Sequence, residues 1–500
     1  MSPRKTLVIQ LARLGDQVQT WPLLQRLRQL WPTGIIDLLG EESLQALAPL
    51  TPALNNFYGL GLQNLAGLVP RDVASAYRRV QELVESLRAQ GYDEVYNLNY
   101  SRTSLLLAYL LNVNARGYQP VSGGREFFRE PWLAYIYGLV HARSFNRWHL
   151  SDVFRHLAPF SPAASSHETG RMPINNCLSE NAFPPLGSNE PVIALQLATR
   201  HPKRTWPVMY YTRLTAQLLQ HLGGYIWLLG SIGERALGER LIGGLPVNLR
   251  SRVVNLQGKT NLQELASRLR EVHLLVSGDT GTLHLAAALG TRTFGIFFGP
   301  ASCFETGPYG IGHYVLQAEP PCHPCLEADS GCVEPFCSTM VSPDMVAQLI
   351  LSFFGVTVTE QEPALPANTK LYRSFMDDSG TIYEPVNHKR PGFAEVVGQA
   401  YRRAGEVLTG GSKTVGPPLT IKPTADTCRY LYNLLASLKN GVDPDSVTPM
   451  VAMALRPLLA FRTEMRRQSV WCGGPGAAET LYQKVKSALI VDLEKYLDIS

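Results

Sequence analysis

Along the first 100 residues, short apolar runs alternate with stretches in which apolar residues recur at helical spacing. The run at residues 6–10 predicts a strand, and residues 13–16 behind it predict a loop. From residue 20 to residue 30 every third position is apolar, which predicts a helix. A strand at 35–39, a helix at 74–90 and a strand at 94–98 follow. Strand, helix and strand in this order form βαβ units, so the pattern predicts a parallel sheet.

The same rhythm returns in the second part of the chain. Residues 159–191, between the two parts, are rich in Pro, Ser, Asn and Gly, which is typical of an interdomain connection. Behind them we predict strands at 192–197, 225–229, 253–255, 274–276 and 293–298, alternating with helices at 208–222, 233–242, 262–270 and 282–289. The pattern favours two similar α/β domains with a cleft between them.

After Gly355 the pattern changes once more. Residues 356–415 have the composition of loops, whereas 425–438, 450–468 and 477–497 show helical spacing. We expect the leucines and aromatics of this last part to form a core rather than a cofactor site, as at Leu431, Tyr432, Leu435 and Leu438. A chain of 500 residues is too long for one compact core, so two or three domains are expected.

Composition and charge narrow the class of protein. With 45% hydrophobic and 17% charged residues, the chain is typical of globular proteins. The net charge of +5 suits anionic ligands or an acidic membrane surface, and it is far below that of a nucleic-acid-binding stripe. Residues 1–11 lack a secretory cleavage site, and no apolar run approaches the ~20 residues of a membrane span. We expect a cytoplasmic protein that binds no nucleic acid, with peripheral contact at the inner face of the membrane left open.

Asp16 is the first candidate for chemistry. It lies between the first predicted strand and the first predicted helix, at the carboxyl edge of the expected parallel sheet. Ligands of open α/β folds bind at this edge. The alternative is that Asp16 only caps the helix.

The second candidate is the turn between the strand at 274–276 and the Ala-rich helix at 282–289. Free N–H groups at such a helix start bind phosphates, so Thr280 and Gly281 are candidate phosphate ligands. Asp279 could accept hydrogen bonds from sugar hydroxyls, or it could serve as a cap. His284 is either part of the site or a buried core histidine.

Two further strands also end in candidate segments. The segment 199–207, TRHPKRTWP, brings Thr199, Lys203 and Arg204 to the end of one strand, where cations can neutralise a leaving diphosphate. A solvated basic loop is the alternative. The segment Gly230-Ser231-Ile232-Gly233-Glu234 follows the next strand, and its carboxylate could bind ribose hydroxyls.

Together these segments resemble glycosyltransferase family 9, the heptosyltransferases. LVIQLARLGDQVQTWPLLQRLRQLWP is similar to the opening of the family, and KRTWP matches its basic-x-Trp-Pro loop. The stretch LQGKTNLQELASRLREVHLLVSGDTGTLHLAAALGTRTFGIFFGP is similar to the longest family signature, through Gly258, Thr260, Asp279, Gly281, His284 and Gly299. The resemblance covers residues 5–355, with its four parts in the expected order.

The resemblance implies a GT-B fold, two Rossmann-like domains facing across a cleft, at 1–175 on the acceptor side and 186–355 on the nucleotide-sugar side. A mainly helical extension of unknown role would occupy 356–500. It also implies inverting, metal-independent sugar transfer that needs no cofactor. The donor would be a nucleotide sugar such as ADP-heptose, and the acceptor a lipopolysaccharide core, another glycan or a glycolipid.

The resemblance also implies a role for each candidate residue. Asp16 would be the general base, and Lys203 or Arg204 would steady the departing diphosphate. The other implied donor ligands are Thr199, Gly230, Ser231, Glu234 at the ribose, Gly258 and Thr260 near the base, Asp279 at the sugar, Thr280 and Gly281 at the phosphates, and His284. Family members carry Lys two residues before the Trp, where this chain has Arg204. Whether Lys203 or Arg204 contacts the phosphate is therefore left open.

Four of the eight cysteines crowd into one segment, at Cys322, Cys325, Cys332 and Cys337. In a reducing compartment such a cluster predicts a metal site before it predicts disulfides. A structural zinc or iron–sulfur centre is the candidate, with unligated buried thiols as the alternative.

Three other functions are alternatives to this one. The acceptor could be a protein, or the chain could be a non-catalytic scaffold that binds nucleotide sugars. A dinucleotide-dependent oxidoreductase would also contain βαβ units, but the first loop lacks the G-x-G-x-x-G pattern.

Overall fold

The structure is a computed structural model that describes residues 3–120, 126–128, 130–159, 190–326, 332, 336–357, 364–386, 391–410, 424–441, 444–467 and 474–498. The chain forms two compact units, one of residues 1–168 with 389–500 and the other of residues 169–388. The predicted connection at 159–191 lies almost wholly outside the described residues.

The first unit is built on a sheet in the order β3-β2-β1-β4-β5-β6. Its strands are β1 (Lys5–Gln10), β2 (Ile35–Glu41), β3 (Asn56–Leu60), β4 (Glu94–Asn97), β5 (Ala115–Pro120) and β6 (Glu126–Phe128). The pairs from β3 to β5 are parallel, and β6 runs antiparallel to β5. Leu7, Val8 and Ile9 are all fully buried, because helices cover both faces of such a sheet. The predicted parallel sheet is therefore confirmed.

The two helices that the apolar spacing predicted for this part, at 20–30 and 74–90, are present, and the described residues contain five more that it did not predict. The helices of this part are α1 (Leu14–Gln19), α2 (Trp21–Leu30), α3 (Leu62–Leu68), α4 (Val73–Ala89), α5 (Arg102–Leu111), α6 (Pro131–Val140) and α7 (Leu150–Arg155). The expected loop at 13–16 is the start of α1, so Asp16 lies in a first helical turn. A six-residue helix is too short to show a clear period in the sequence.

The second unit contains an eight-stranded sheet in the order β14-β13-β12-β11-β10-β7-β8-β9. Its parallel strands are β7 (Val192–Gln196), β8 (Tyr225–Leu229), β9 (Val253–Asn255), β10 (Leu274–Ser277), β11 (Thr293–Phe297) and β12 (Tyr314–Ala318). Its helices are α8 (Val208–Leu222), α9 (Arg235–Gly243), α10 (Val247–Arg250), α11 (Leu262–Glu271), α12 (Gly281–Ala288), α13 (Cys303–Thr306) and α14 (Pro343–Phe353). Each strand and helix predicted for 192–298 is present within a few residues of its expected bounds.

The segment expected to be loop-rich forms a hairpin instead. Strands β13 (Thr369–Asp377) and β14 (Gly380–Pro385) continue the second sheet, with β13 antiparallel to β12. Leu371 and Tyr372 are buried there, whereas several neighbours on the strand are half-exposed. An edge strand with so mixed a burial pattern lacks the apolar run that marks the central strands.

The last part of the chain is helical, as predicted, and belongs to the first unit. It contains α15 (Phe393–Thr409), α16 (Ala425–Asn440), α17 (Pro449–Arg467) and α18 (Pro475–Asp498). Leu431, Leu435 and Leu438 lie in its core as expected, but Tyr432 is 59% exposed. No helix among the described residues is both long and apolar enough to span a membrane.

Aromatic contacts explain why these helices are not a domain of their own. The rings of Tyr135 and Phe461 pack edge to face at 5.5 Å, and those of Phe145 and Phe393 at 6.1 Å. A Cβ at Gly138 would lie 2.5 Å from the carbonyl oxygen of Pro457, so α6 and α17 meet closely at this glycine. The structure thus divides the chain differently from the expected boundaries at 1–175, 186–355 and 356–500: residues 364–386 extend the second sheet, and the helices behind them pack on the first unit.

Candidate active site

The sheet of the second unit has a switch point between β7 and β10. Strands β8 and β9 lie on one side of β7, and β10, β11 and β12 follow on the other. Gln196 and Ser277 are paired at the carboxyl ends of β7 and β10. Ligands of open α/β sheets bind outside the strand ends at such a point. The candidate segments behind β7, β8, β9 and β10 therefore share one edge of the sheet.

The turn behind β10 starts α12 with a capped helix terminus. Thr280 is the N-cap, and its Oγ1 accepts a hydrogen bond from the Leu283 N–H at 3.2 Å. Gly281 is the first helical residue. A Cβ at Gly278 would lie 2.8 Å from Cγ2 of Thr199, so only glycine lets the two turns pack this closely. The start of α12 thus lies directly behind β10, at the switch point, and helix N-termini are places where phosphate can bind.

Asp279 is the centre of a buried polar cluster, with its side chain only 7% exposed. Its Oδ2 accepts hydrogen bonds from a guanidinium N–H of Arg204 at 2.7 Å and from the Thr306 hydroxyl at 3.1 Å. Its Oδ1 lies 3.4 Å from Nε2 of His284. Both alternatives for His284 therefore hold in part, because it is a buried histidine and it contacts the candidate site.

These neighbours keep Asp279 charged. Burial by itself would raise the pKa of the Asp279 carboxyl, but His284, Arg204 and Thr306 together more than offset that effect. The net result is a pKa below the ordinary value for aspartate. Asp279 is consequently ionised at neutral pH and can accept hydrogen bonds from hydroxyl groups.

The basic loop behind β7 is anchored by Trp206. Its indole N–H donates to the carbonyl of Val341 at 3.0 Å, and the side chain is buried in the core. A Cβ at Gly299 would lie 2.7 Å from the carbonyl oxygen of Lys203, so the motif glycine packs against the same loop. Arg204 is the cation that faces Asp279, whereas the charge of Lys203 acts on the thiol of Cys325.

The turn behind β8 presents Glu234. Its Oε1 accepts from the backbone N–H of Ser231 at 3.3 Å and from the Ser231 hydroxyl at 3.0 Å. Its Oε2 accepts from the amide of Gln196 at 2.6 Å. Burial raises the pKa of Glu234, and the hydrogen bonds from Ser231 and Gln196 oppose that rise. Gly230, with φ of +149°, adopts a backbone that a side chain would disfavour.

The turn behind β9 lies directly beside the turn behind β8. The Gly258 N–H donates to the carbonyl of Gly230 at 2.9 Å, and its φ of +70° requires a left-handed backbone. A Cβ at Gly258 would lie 2.7 Å from Cα of Ile232. Thr260 follows this turn, immediately before the N-cap of α11 at Asn261.

Asp16 belongs to the first unit and lies at the carboxyl edge of its sheet. Its Oδ2 accepts a hydrogen bond from the backbone N–H of Arg13 at 3.3 Å, so Arg13 is the N-cap of α1 and Asp16 is the third helical residue of a capping box. The side chain is half-buried. Gln10, at the end of β1, contacts Asn99 behind β4, so polar side chains surround the switch point of this sheet too.

The four cysteines of the cluster differ in burial. Cys322 is exposed, Cys325 and Cys332 are half-buried, and Cys337 is buried. Burial raises the pKa of the Cys325 and Cys337 thiols, and the neighbouring cysteines add to the rise. No group of three or more His, Cys, Asp or Glu within the described ranges is arranged to hold a metal ion. The structural metal at these cysteines therefore stays a prediction.

Two residues of this site were missed by the sequence analysis. Thr306, in α13, hydrogen-bonds to Asp279, and no motif marked it. Gln196 hydrogen-bonds to Glu234 and to Thr282. A signal for Gln196 did exist, because an amide at the end of an otherwise apolar central strand has to find hydrogen-bond partners.

Known proteins with similar sequences and folds identify the family of the chain. The family model of glycosyltransferase family 9 (heptosyltransferase) matches residues 80–333. The chain is 25% identical to lipopolysaccharide heptosyltransferase 2 of Salmonella typhimurium over 344 residues, which cover 65% of this chain and 92% of that protein. It is 24% identical to lipopolysaccharide heptosyltransferase 2 of Escherichia coli K12 over 375 residues, or 72% of this chain and 99% of that protein.

The solved structure of E. coli heptosyltransferase WaaC with ADP matches 70% of this chain and 99% of its own, with a TM-score of 0.50 and 19% identity. This match shows a common fold. The family model covers more than half of the chain. The chain therefore belongs to glycosyltransferase family 9, the heptosyltransferases, and is a glycosyltransferase enzyme of the GT-B fold class.

Proposed function

We propose that this enzyme transfers a heptose or a related sugar from an ADP-linked donor to a lipopolysaccharide core or another glycan, with inversion at the anomeric carbon. The two relatives named above are lipopolysaccharide heptosyltransferases, which supports the sugar and the acceptor. The observation that carries the proposal is the setting of Asp279, an ionised buried carboxylate held by Arg204 directly before α12. It offers a partner for sugar hydroxyls next to groups that bind phosphate.

In this proposal the donor lies along the strand ends of the second unit. Glu234 binds the ribose hydroxyls, and the turn at Gly258 and Thr260 borders the base. The backbone of Thr280 and Gly281 binds the diphosphate together with Lys203 or Arg204. Asp279 holds the sugar hydroxyls, and His284 and Thr306 hold Asp279.

Asp16 supplies the general base. Its carboxylate takes the proton of the acceptor hydroxyl while that oxygen attacks the anomeric carbon from the face opposite the diphosphate. The bond between the anomeric carbon and the diphosphate oxygen breaks, and the electron pair leaves with the nucleoside diphosphate. A carboxylate in this role has to be placed within hydrogen-bond reach of the acceptor hydroxyl.

Positive charge for the departing diphosphate comes from the protein itself in this proposal. Lys203, Arg204 and the N-terminus of α12 meet the charge that develops on the leaving oxygens. Transfer then needs no added cofactor or catalytic metal, and turnover should persist in EDTA.

A structural metal at Cys322, Cys325, Cys332 and Cys337 is a separate proposal. Metal analysis of the purified protein tests it: less than about 0.1 equivalents of zinc or iron would remove it.

The acceptor defines the partners of the enzyme. A lipid-linked acceptor lies in a membrane, so we include a peripheral contact with the inner face of the cytoplasmic membrane. Leu106, Tyr109 and Leu110 form an exposed apolar stripe on α5 that suits such a contact. Leu106→Glu should weaken cosedimentation with anionic vesicles, and unchanged cosedimentation would remove this face from the proposal.

Transfer to a protein acceptor is the second candidate function. Incubation with labelled donor and either a glycan or a protein acceptor distinguishes the two.

The donor is tested by thermal shift against ADP, UDP and GDP. A ligand at about 100 times its dissociation constant stabilises the folded state by about 2.7 kcal/mol, which such a measurement detects. We expect ADP to give the largest shift at equal concentration. A larger shift with UDP or GDP would overturn the ADP assignment.

The base is tested by Asp16→Asn, with Asp72→Asn as the matched control. Asp72 caps α4 by accepting a hydrogen bond from the Ser75 N–H at 2.9 Å, and it lies in the same unit. If Asp16 is the base, its variant binds ADP normally and loses turnover by about 10²–10⁴-fold. If Asp16 only caps α1, the two variants lose a similar, small amount of stability and keep their turnover.

A further inference from the structure

We propose that Gln196 is a positioning residue that holds the ribose-binding carboxylate of Glu234 in a fixed relation to the phosphate-binding start of α12. This inference rests on the proposed function and deepens it, because it names the residue that sets recognition of the ribose. It concerns a side chain that the family resemblance did not mark.

Gln196 is itself held at the centre of the site. It is the last residue of β7, at the switch point, and is only 5% exposed. Its backbone carbonyl accepts a hydrogen bond from the Tyr211 hydroxyl at 3.1 Å, so the strand end is fastened to α8. A side chain on a buried strand end moves less than one on a loop, which suits a positioning role.

Both the nitrogen and the oxygen of the Gln196 side-chain amide form hydrogen bonds. Its Nε2 donates to Oε2 of Glu234 at 2.6 Å, and its Oε1 accepts from the Thr282 hydroxyl at 3.2 Å. Thr282 is the second residue of α12 and Glu234 stands in the turn behind β8. One planar amide thus connects the two segments that would bind ribose and diphosphate.

Glu234 depends on this contact for its orientation. Its Oε1 accepts hydrogen bonds from Ser231, which belongs to the same short turn, whereas Oε2 is tied to the central strand through Gln196. A Cβ at Gly230 would collide with the Glu234 carboxylate and would approach Nε2 of Gln196 to 3.3 Å, so the glycine keeps the space for this pair. Without the amide, the carboxylate keeps its contacts to Ser231 within the same turn and loses its connection to β7.

The chemistry of a nucleoside diphosphate makes this connection useful. Its ribose hydroxyls and its phosphates are separated by a few covalent bonds, so a site that binds both must hold its two sets of groups at a matching distance. Preorganised groups bind such a ligand without losing freedom of their own. Gln196 therefore acts on ribose recognition through Glu234 and does not itself need to touch the ligand.

The test uses Gln196→Met, which keeps the length of the side chain and removes its hydrogen bonds. Gln317→Met is the matched control: Gln317 is also a buried amide near a strand end of this sheet, accepting from the Cys303 N–H at 2.8 Å and donating to Glu319 at 2.7 Å. Affinities for ADP and for 2′,3′-dideoxy-ADP are measured calorimetrically with the full-length wild type, both Met variants, Glu234→Gln and the double variant Gln196→Met/Glu234→Gln.

We expect the preference for ADP over its dideoxy analogue to fall about tenfold in Gln196→Met. A misplaced Glu234 carboxylate would lose about one charge-assisted hydrogen bond to the ribose, and a loss of this size corresponds to that factor. Glu234→Gln should lose a similar factor, and the double variant should lose little more than either, because both act on one contact. Gln317→Met should keep the wild-type ratio even where its melting temperature falls by the same amount.

Two results would overturn the proposal: a wild-type ratio in Gln196→Met, or losses that multiply in the double variant. A failure of the proposed function is distinguishable from these. If UDP or GDP binds the wild type and ADP does not, the ADP assignment fails, and the same ratio measured with the dideoxy analogue of the bound nucleotide still decides the role of Gln196. If no nucleoside diphosphate binds the wild type, the proposed function is overturned and this inference with it.

Discussion

Arg204 and Asp279 are joined by a hydrogen bond of 2.7 Å between a guanidinium N–H and Oδ2 of the carboxylate. The two residues come from the loop behind β7 and the turn behind β10, which are 75 residues apart in the chain. Arg204 is 25% exposed and Asp279 only 7%, so the pair lies at the border between the core and the site. A change in either residue therefore alters both the stability of the loop and the charge of the site.

Arg204→Leu should weaken ADP binding by at least about tenfold, because it removes a charge-assisted contact to phosphate and releases the loop from Asp279. Titration calorimetry measures this directly. Arg213→Leu is the control, since Arg213 pairs with Asp344 on the exposed surface of the same unit, and it should leave the affinity unchanged. A larger loss in Lys203→Leu than in Arg204→Leu would assign the phosphate to Lys203.

Asp279→Asn should make stability less dependent on pH in the acidic range. The pKa of Asp279 lies below its ordinary value, so this carboxylate contributes stability that is complete above about pH 5 and is lost as the pH falls through its folded pKa. At neutral pH the variant should be less stable by about 3 kcal/mol, because Arg204 loses its counter-charge. Urea unfolding of both proteins at several pH values measures the difference, which should narrow on acidification; a constant difference would contradict the assigned charge.

Trp206→Ala should destabilise the second unit by about 3–5 kcal/mol and also weaken ADP binding. The indole fills the core beside Tyr211, at 4.9 Å between ring centres, and fixes the loop that carries Lys203 and Arg204. Leu349 belongs to the same core but lies in α14, outside the loop, so Leu349→Ala should lower stability and keep the affinity. Equal affinities in the two variants would show that Trp206 serves only the core.

Gly138→Val should destabilise the first unit by about 1–3 kcal/mol, because its side chain would meet the carbonyl oxygen of Pro457 and force α6 away from α17. Gly67→Ala is the control: it lies in α3 with no atom within 4 Å of the added Cβ, so stability should stay within about 1 kcal/mol of wild type. Urea unfolding provides both values. An unchanged Gly138→Val protein would indicate that the last helices do not pack on α6.

Local patterns in the sequence were sufficient for the elements that carry the site. Strands β8 and β9 and helix α8 have the bounds that apolar spacing predicted. Central strands and amphipathic helices bury side chains at regular intervals, and this periodicity can be recognised in short segments of the sequence. The glycines and polar residues at the strand ends could likewise be identified, because turns of this kind require them wherever they occur.

What the sequence determined by itself was thus the α/β class, the alternation of the central strands and helices, and the turns that end at one edge of a sheet. Only the tertiary structure decided that β13 and β14 extend the second sheet, that α15–α18 pack on the first unit, and that Arg204, Thr306 and His284 meet at Asp279. The physical reason is that these contacts join residues far apart in the chain. Their partners are selected by burial and hydrogen bonding in the folded protein, and neither leaves a period in the local sequence.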